Sequence, residues 1–346
     1  MSFANAPSLH GTAATYETGL VDIAPGVCAW LQPNGDWSES NVGLVIGDRA
    51  AALIDTAWDL PLTRRILGAV QQRTAEPITK VIATHGDGDH VNGLQLLPQA
   101  ELITSTGTAA DMAHESPGGL RRSYLGARFL RTFAPGPPRR FGAYIASMMD
   151  PFDFRGITIR TPDRVFSSAL TLDVGGVALE LHHLGPAHTS GDTIVYVPER
   201  GVVFAGDLLF TGVTPNSWSG TVGGWLRAID KIGALDPSVI VPGHGPLSGA
   251  PELELLEQYW RWLEQRTHQA LDQGASVYEC AREIVFGEEF AERPWGAWVC
   301  PERTVLNVEI VARSRATPFR PITHRQRPAL MWQVARLHGE LQAARA

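Results

Sequence analysis

Seven histidine and aspartate side chains fall into four short groups whose residue types and spacing suit the binding of divalent metal ions. The first group is the run His-Gly-Asp-Gly-Asp-His at residues 85–90, and the other three groups each contribute one such residue farther along the chain. The seven residues are His85, Asp87, Asp89, His90, His188, Asp207 and His244. Each group follows a short apolar run typical of a strand, and strand ends are places where a rigid sheet can hold side chains in a cleft.

These side chains supply enough ligands for two ions. Zinc, iron and manganese bind imidazole nitrogen and carboxylate oxygen, and a catalytic ion needs about three protein ligands and one open position. One carboxylate can bridge both ions, and two ions about 3.5–4 Å apart can share a hydroxide and lower the pKa of its parent water. Such a hydroxide is a nucleophile at neutral pH, so the chemistry that these residues indicate is hydrolysis.

The four groups resemble the ligand pattern of the metallo-β-lactamase superfamily, taken in its broad hydrolase sense. The family pattern is His-x-His-x-Asp-His, then one histidine, a bridging aspartate and a last histidine. Asp55 and Thr56 match a further family element at the end of an early strand. The resemblance covers about residues 26–245. It implies an α/β fold, a four-layer αββα sandwich, with two divalent metal ions at one edge and zinc as the expected metal.

The resemblance also implies a role for each residue of the four groups except Asp87. In this assignment the ligands are His85 and His188 for the first ion, Asp207 for the bridge, and Asp89, His90 and His244 for the second ion. Asp55 is expected to orient a ligand histidine instead of binding metal.

Asp87 departs from the family pattern, which has a histidine at this position. An aspartate oxygen is a harder, anionic ligand and would favour iron or manganese more than an all-imidazole site would. Diiron members of the superfamily that work with a flavin carry glutamate at this place, although this sequence has no motif for their flavodoxin domain. Alternatively, Asp87 caps the following helix or bonds a loop N–H and leaves the first site one ligand short. Zinc, iron, manganese and a half-filled site all remain open.

The main functional prediction is a metal-dependent hydrolase. A metal-bound hydroxide would attack the carbonyl carbon of a small lactone, ester or thioester, in preference to an amide or a β-lactam. Asp89 or Asp207 could accept a proton during turnover, and Trp218, in a loop after Asp207, is a candidate for substrate contact. Two alternatives remain: a diiron enzyme that activates oxygen or runs a redox step on the same fold, and a non-catalytic ligand-binding protein with an impaired metal site.

The elements that must position these residues alternate between strands and helices in the first half of the chain. Residues 42–46 and 51–54 are apolar runs joined through a Gly-Asp turn, which predicts a hairpin. Residues 107–155 interrupt the alternation with Pro-Gly segments and loose helical stretches, and we predict a partly helical lid there. Residues 1–250 would form the catalytic domain, and residues 251–346 a helical extension packed on it.

Composition and charge limit the classes of function. The chain has 346 residues, of which 44% are hydrophobic and 19% charged; this is typical of a globular protein, and no apolar stretch is long enough to span a membrane. The net charge of −7 argues against a nucleic-acid partner, and the sequence has neither a glycine-rich nucleotide motif nor Gly-x-Ser-x-Gly. Three widely spaced cysteines and an N-terminus unlike a secretory signal predict a cytoplasmic protein.

A small molecule is the expected partner, with no membrane or nucleic acid involved. Arginines cluster in the predicted lid at Arg121, Arg122, Arg128, Arg131, Arg139 and Arg140. These arginines either attract an anionic substrate, if the lid covers the metal cleft, or form a solvated face. The basic C-terminal tail has an amphipathic stretch at residues 330–341 that either packs on the acidic body or forms a homodimer contact.

Overall fold

Two β-sheets form the centre of the fold. The computed structural model describes residues 15–345, and the twelve strands found there divide into a seven-stranded and a five-stranded sheet. The first sheet contains, in spatial order, β1 Gly19–Ala24, β2 Val27–Leu31, β3 Val42–Ile46, β4 Ala51–Ile54, β5 Ile78–Ile82, β6 Glu101–Ser105 and β7 Arg164–Phe166. The second sheet contains, also as neighbours in this order, β8 Ala169–Val174, β9 Val177–His183, β10 Thr193–Val197, β11 Val202–Phe210 and β12 Val239–His244.

Strand direction places the metal-binding groups at sheet edges. The predicted hairpin forms as antiparallel β3 and β4, with Gly43 opposite Ile54 and Ile46 opposite Ala51. Strands β4 to β7 run parallel to one another, as do β11 and β12. Ligand sites of such sheets form beyond the carboxyl ends of parallel strands, which is where the segment after β5 lies and where β12 ends.

Eleven helices of the described residues surround the sheets. In chain order they are α1 Leu60–Arg73, α2 Gly88–Val91, α3 Thr106–Met112, α4 Pro117–Phe133, α5 Gly136–Met149, α6 Val222–Gly233, α7 Ala250–Asp272, α8 Val277–Phe286, α9 Glu288–Glu292, α10 Thr304–Ser314 and α11 Arg327–Arg345. The start of α1 follows from its sequence, because the Asp59 side chain accepts a hydrogen bond from the Leu62 N–H and Pro61 occupies the first turn. Within residues 15–345, none of the helices combines the length and apolar composition that crossing a bilayer requires.

Three clusters of buried hydrophobic side chains define four layers. One cluster joins the first sheet to α1 and includes Leu53 and Ile66. The second lies between the two sheets and includes Val45 and Val195. The third joins the second sheet to α6, through Trp225 among others, and to helices of the C-terminal part. The order is helix, sheet, sheet, helix, so the predicted α/β sandwich is confirmed.

The C-terminal helices belong to the third cluster. Trp260 of α7 is fully buried, and its ring centroid lies 4.8 Å from that of Trp225 in α6. Leu306 of α10 and Leu337 of α11 are buried in the same cluster. The helical extension that the sequence predicts is therefore present, and one continuous core joins it to the second sheet.

The segment at residues 107–155 is more helical than its sequence suggested, since it contains most of α3 and all of α4 and α5. Five of its six clustered arginines are exposed, and the sixth, Arg131, pairs with Asp150. Of the two interpretations of these arginines, the structure matches the solvated face. The segment nevertheless reaches the metal-binding groups through other side chains, which are described below.

Candidate metal centre

The seven predicted residues come together at one edge of the two sheets. Four lie in the segment that follows β5 and forms α2, one in the loop between β9 and β10, one inside β11 and one at the end of β12. In that order they are His85, Asp87, Asp89 and His90, then His188, Asp207 and His244. Asp87 and Asp89 are half-buried and the other five are buried, so the cluster lies in the floor of a cleft.

Asp207 is the centre of this cluster. The Nε2 atoms of the four histidines lie close to its carboxylate oxygens, at 3.2 Å for His90, 3.4 Å for His188, 3.5 Å for His244 and 3.8 Å for His85. Burial alone would raise the pKa of Asp207, but the surrounding histidines hold that pKa well below its usual range. An ionised carboxylate among four imidazoles has the charge and position that a bridging ligand requires.

The remaining ligand atoms separate into two groups of three. His85, Asp87 and His188 form one group of ligand atoms within 4.8 Å of one another, and Asp89, His90 and His244 form the other. Three ligands for each of two ions, with one carboxylate within reach of both groups, is the donor set of a dinuclear site.

Buried atoms without a hydrogen-bond partner indicate whether this donor set suits the binding of cations. Among the described residues, the buried Nε2 atoms of His85 and His90 have no partner in hydrogen-bond geometry, and neither has Asp207 Oδ1. Such atoms are destabilising when they stay unpaired in a protein interior. Burial, assisted by the charge of His90, lowers the pKa of His85 to about 4. His85 is therefore neutral at pH 7, and its Nε2 lone pair can bind a cation.

A hydrogen-bond network from Asp55 turns two of the histidines toward the cluster. The Nδ1 of His90 lies 2.9 Å from Asp55 Oδ2, and the Thr84 hydroxyl donates to the same oxygen at 2.7 Å. Because that hydroxyl donates its proton to Asp55, it accepts one from His85 Nδ1 at 3.0 Å. Both rings thus carry the proton on Nδ1 and present Nε2 to the centre. Asp55 has the orienting position that the sequence predicted.

His188 is oriented by the backbone instead. Its Nδ1 lies 2.7 Å from the carbonyl oxygen of Asn216, which can only accept a hydrogen bond. Nδ1 therefore carries a proton, and Nε2 faces the cluster, where it lies 3.1 Å from Asp87 Oδ2. This backbone partner has no sequence signal, because any residue at position 216 would offer the same carbonyl.

Replacing Asp55 with asparagine is expected to lower the affinity for zinc by about 10- to 100-fold. The carboxylate also accepts from the Thr84 N–H at 2.7 Å, and a carboxamide, with its single oxygen, cannot accept from all three donors and would loosen both rings. Asparagine is chosen because Asp55 has a φ of 64°, a conformation that asparagine tolerates. Competition with a chromogenic chelator measures the affinity. The control is Asp230→Asn, a change on the exposed face of α6. Equal affinities in the two variants would contradict the role of Asp55.

The position of Asp87 bears on the two interpretations that the sequence left open. Asp87 is the residue that precedes α2, but its side chain makes no hydrogen bond to the helix N-terminus. Its Oδ2 lies 3.1 Å from His188 Nε2, and its Oδ1 lies 4.0 Å from Arg327 Nη1. The capping alternative is therefore wrong, because the carboxylate points into the first ligand group. Asp87 is placed as a candidate ligand.

The strand that carries Asp207 is longer than its sequence indicated. β11 continues through the aspartate instead of ending before it, and its register against β12 shifts on both sides of Gly206. Gly206 has a φ of 52°, which glycine adopts easily. Across the pair, a Cβ on Gly243 would lie 1.9 Å from Asp207 Oδ1. Glycine at both positions lets the carboxylate sit inside the sheet and still face the cluster.

A cleft of about 280 Å³ opens above the cluster. Trp218, the predicted contact residue, is 6% exposed and lines it. The lid contributes Glu115, Leu120 and Met148 to the wall. Further lining residues that the sequence did not predict are Trp37, Trp58, Asn216, Arg303, Arg327 and Met331. They come from distant parts of the chain and belong to no motif, so only the fold identifies them.

Comparison with known proteins agrees with this geometry. The sequence profile of the metallo-beta-lactamase superfamily matches residues 35–244, which include all seven candidate ligands. Among curated proteins, a metallo-beta-lactamase type 2 of Bacteroides fragilis is 24% identical over 224 residues, covering 63% of this chain and 74% of the relative. The 2,4-dinitroanisole O-demethylase subunit alpha of Nocardioides sp. (strain JS1661) is 23% identical over 328 residues, covering 86% of this chain and 85% of the relative.

Among solved structures, the stereoselective inverting sec-alkylsulfatase Pisa1 from Pseudomonas sp. superposes with a TM-score of 0.66 at 16% sequence identity. The superposition covers 92% of this chain and 58% of the sulfatase, so this chain spans little more than half of that protein. At this identity the likeness concerns the fold, and it extends beyond the residues that the profile matches. Fold, ligand pattern and profile agree, and the chain belongs to the metallo-beta-lactamase superfamily.

Proposed function

We propose that this protein is a metal-dependent hydrolase that cleaves the ester, lactone or thioester bond of a small molecule. The observation that carries the proposal is the convergence of four histidine Nε2 atoms on Asp207, within 3.8 Å, in the floor of a cleft. Membership of a hydrolase superfamily supports it. A non-catalytic scaffold with an impaired site would have no need of a complete set of oriented donors.

The candidate ligands would have the following roles. His85, Asp87 and His188 would hold one ion and Asp89, His90 and His244 the other, with Asp207 between them. Bound divalent ions supply an activated water and an electrophilic contact for the carbonyl oxygen. Asp89 is 14% exposed at the cleft surface, so its carboxylate can accept a proton from a group in the cleft.

The cleft wall supports a small substrate. Its volume of about 280 Å³ is at the lower end of the range for small-molecule pockets. Aromatic and aliphatic side chains form part of the wall, among them Trp58, Trp218 and Met331. Apolar wall residues exclude water and strengthen electrostatic interactions at the ligand groups.

Metal removal tests the proposal. We expect the purified protein to hydrolyse 4-nitrophenyl butyrate, γ-butyrolactone or an S-acetyl thioester, to lose this activity on dialysis against dipicolinate, and to regain it with zinc. His188→Ala should lower kcat/KM by about 10³-fold or more because it removes a ligand. The matched control is His268→Ala, on α7 and outside the cluster. Activity that survives both chelation and His188→Ala would refute a metal-dependent hydrolase.

A second candidate is hydrolytic cleavage of an activated aryl ether, in which water and the ether give a phenol and an alcohol. One specific observation favours it: the similarity to the O-demethylase subunit covers 86% of this chain and 85% of that relative, well beyond the family profile. Adding 2,4-dinitroanisole to the substrate screen tests it. Release of 2,4-dinitrophenol with no turnover of any ester, lactone or thioester would favour the ether over the carbonyl substrates.

A further inference from the structure

Arg303 places a buried cation in the wall of the metal cleft. The side chain is 1% exposed and lies just before α10. Its Nη1 donates a hydrogen bond to the Thr214 carbonyl oxygen at 3.2 Å, and its Cζ lies 4.0 Å from the ring centroid of Trp37. Its Nε is buried and has no hydrogen-bond partner among the described residues. A carbonyl group and an aromatic face therefore fix the guanidinium, while part of its donor set stays unused.

Arg303 forms no close ion pair within the described residues, 15–345, where no carboxylate oxygen lies within 4.0 Å of its nitrogens. The adjacent Glu302 has other partners: its Oε1 accepts a hydrogen bond from the Tyr144 hydroxyl at 3.1 Å and lies 3.2 Å from His338 Nδ1. Arginine stays charged in proteins, and a buried charge is destabilising unless it is paired.

A second arginine faces the same cleft. Arg327, the first residue of α11, has its Cζ 4.4 Å from the ring centroid of Trp218 and its Nη1 4.0 Å from Asp87 Oδ1. Its Nε is buried without a hydrogen-bond partner in the described chain, and 24% of its side chain is exposed. Both arginines come from the C-terminal part and reach the cleft that the candidate ligands line. Of the six lid arginines, which the sequence suggested for this role, five face solvent and Arg131 pairs with Asp150.

We propose that Arg303 and Arg327 form an anion subsite beside the metal centre, and that the substrate carries an oxyanion which pairs with Arg303. The inference rests on the proposed function and names its substrate class. A guanidinium presents two parallel N–H donors, which suit the oxygens of a carboxylate or a sulfate. Both arginines line the same cleft, of about 280 Å³, as five of the seven candidate ligands.

The oxyanion has two chemical sources. It is either a carboxylate that takes no part in the reaction or a sulfate whose ester bond is the one cleaved. A matched pair of esters tests whether the protein prefers a substrate that carries an oxyanion. 4-Acetoxybenzoate has a free carboxylate, and in methyl 4-acetoxybenzoate the same group is masked as an ester. 4-Nitrophenyl sulfate serves as the third substrate. Release of nitrophenolate would assign the anion to the reacting group, and a carboxylate preference without that release would assign it to the rest of the substrate.

The expected result is a change in the ratio of kcat/KM for the anionic ester to kcat/KM for the neutral ester. The metal-loaded wild-type protein should prefer the anionic ester over the neutral one in kcat/KM, and Arg303→Gln should lower this ratio by about 10- to 100-fold. Arg303→Lys keeps the charge but loses the paired donors, and its ratio should lie between those of the wild-type protein and Arg303→Gln. Arg122→Gln, on the exposed lid helix α4, is the matched control and should keep the wild-type ratio. Zinc content and circular dichroism of each variant separate this effect from loss of the site or of the fold.

Calorimetry supplies a readout that does not depend on turnover. Metal-loaded wild-type protein should bind 4-hydroxybenzoate at least about 10-fold more tightly than Arg303→Gln does. If Arg303→Gln does not fold, Arg327→Met, at a half-buried position, carries both tests and should lower the ester ratio and the affinity. Turnover of no ester, lactone or thioester of either screen, together with arginine-dependent binding of 4-hydroxybenzoate, would refute the proposed function and keep the anion subsite. Turnover with the same ratio and affinity in wild-type protein and arginine variants would overturn the subsite and keep the function.

Discussion

Asp207→Asn is expected to abolish hydrolysis, lowering kcat/KM by about 10³-fold or more, and to reduce the bound metal. Asparagine keeps the shape of the side chain but removes the negative charge that lies among four imidazoles, at 3.2–3.8 Å from their Nε2 atoms. A neutral amide cannot bridge two cations. Steady-state kinetics and elemental analysis of the same sample measure both effects.

The control for this change is Asp230→Asn, which makes the same substitution on the exposed face of α6. It should keep both the activity and the metal content of the wild-type protein. Asp207→Asn protein that retained two ions and an activity within about threefold of wild type would show that Asp207 is not the bridge, and the dinuclear assignment would be wrong.

Trp260→Ala is expected to lower the free energy of unfolding by about 3–5 kcal/mol. Trp260 is fully buried, and its ring lies 4.8 Å from that of Trp225 in α6, so truncation leaves a cavity where the C-terminal helices meet the second sheet. Denaturant unfolding followed by tryptophan fluorescence and far-ultraviolet circular dichroism measures the change. Because one core joins both parts, the two signals should change in a single transition.

Trp332→Ala is the matched control, since this tryptophan of α11 is 38% exposed and contacts Phe141 at the surface. It should change the unfolding free energy by no more than about 1 kcal/mol. Two separate transitions in the wild-type protein, with only one of them shifted by Trp260→Ala, would show that the C-terminal helices fold as an independent unit.

Local sequence patterns were sufficient to predict some parts of the fold. The hairpin of β3 and β4 has the predicted bounds, because an apolar run on each side of a Gly-Asp turn leaves few other structures. The segment at residues 85–90 follows a buried strand, as its spacing indicated. Asp55 was also foreseen as an orienting residue, and a hydrogen bond of 2.9 Å to His90 Nδ1 gives it that position.

Other features depend on contacts between distant residues and were not predictable from local patterns. β1 and β2 were not predicted, and they join the first sheet because β2 pairs antiparallel with β3 and β1 with β2. β11 runs through Asp207 because Gly206 absorbs a register shift against β12. The role of Asp87 was undecided in the sequence, since only the fold brings its carboxylate to His188.

The two arginines that line the cleft show most clearly that local sequence patterns do not reveal contacts between distant residues. Arginine clusters in the lid made that segment the obvious source of positive charge, yet five of the six side chains face solvent. Arg303 and Arg327 line the cleft although they come from the C-terminal part, whose helices pack on the second sheet. No spacing rule relates them to His85 or Asp207, since more than 90 residues separate them from either.

The most direct test of the central claim, a dinuclear centre built from seven side chains, is elemental analysis by plasma mass spectrometry of the full chain after zinc loading and desalting. The donor set predicts about two zinc ions per chain in the wild-type protein, and about one after His188→Ala removes a ligand of the first group. At most one ion per wild-type chain, with no further loss in His188→Ala, would contradict the two-ion centre.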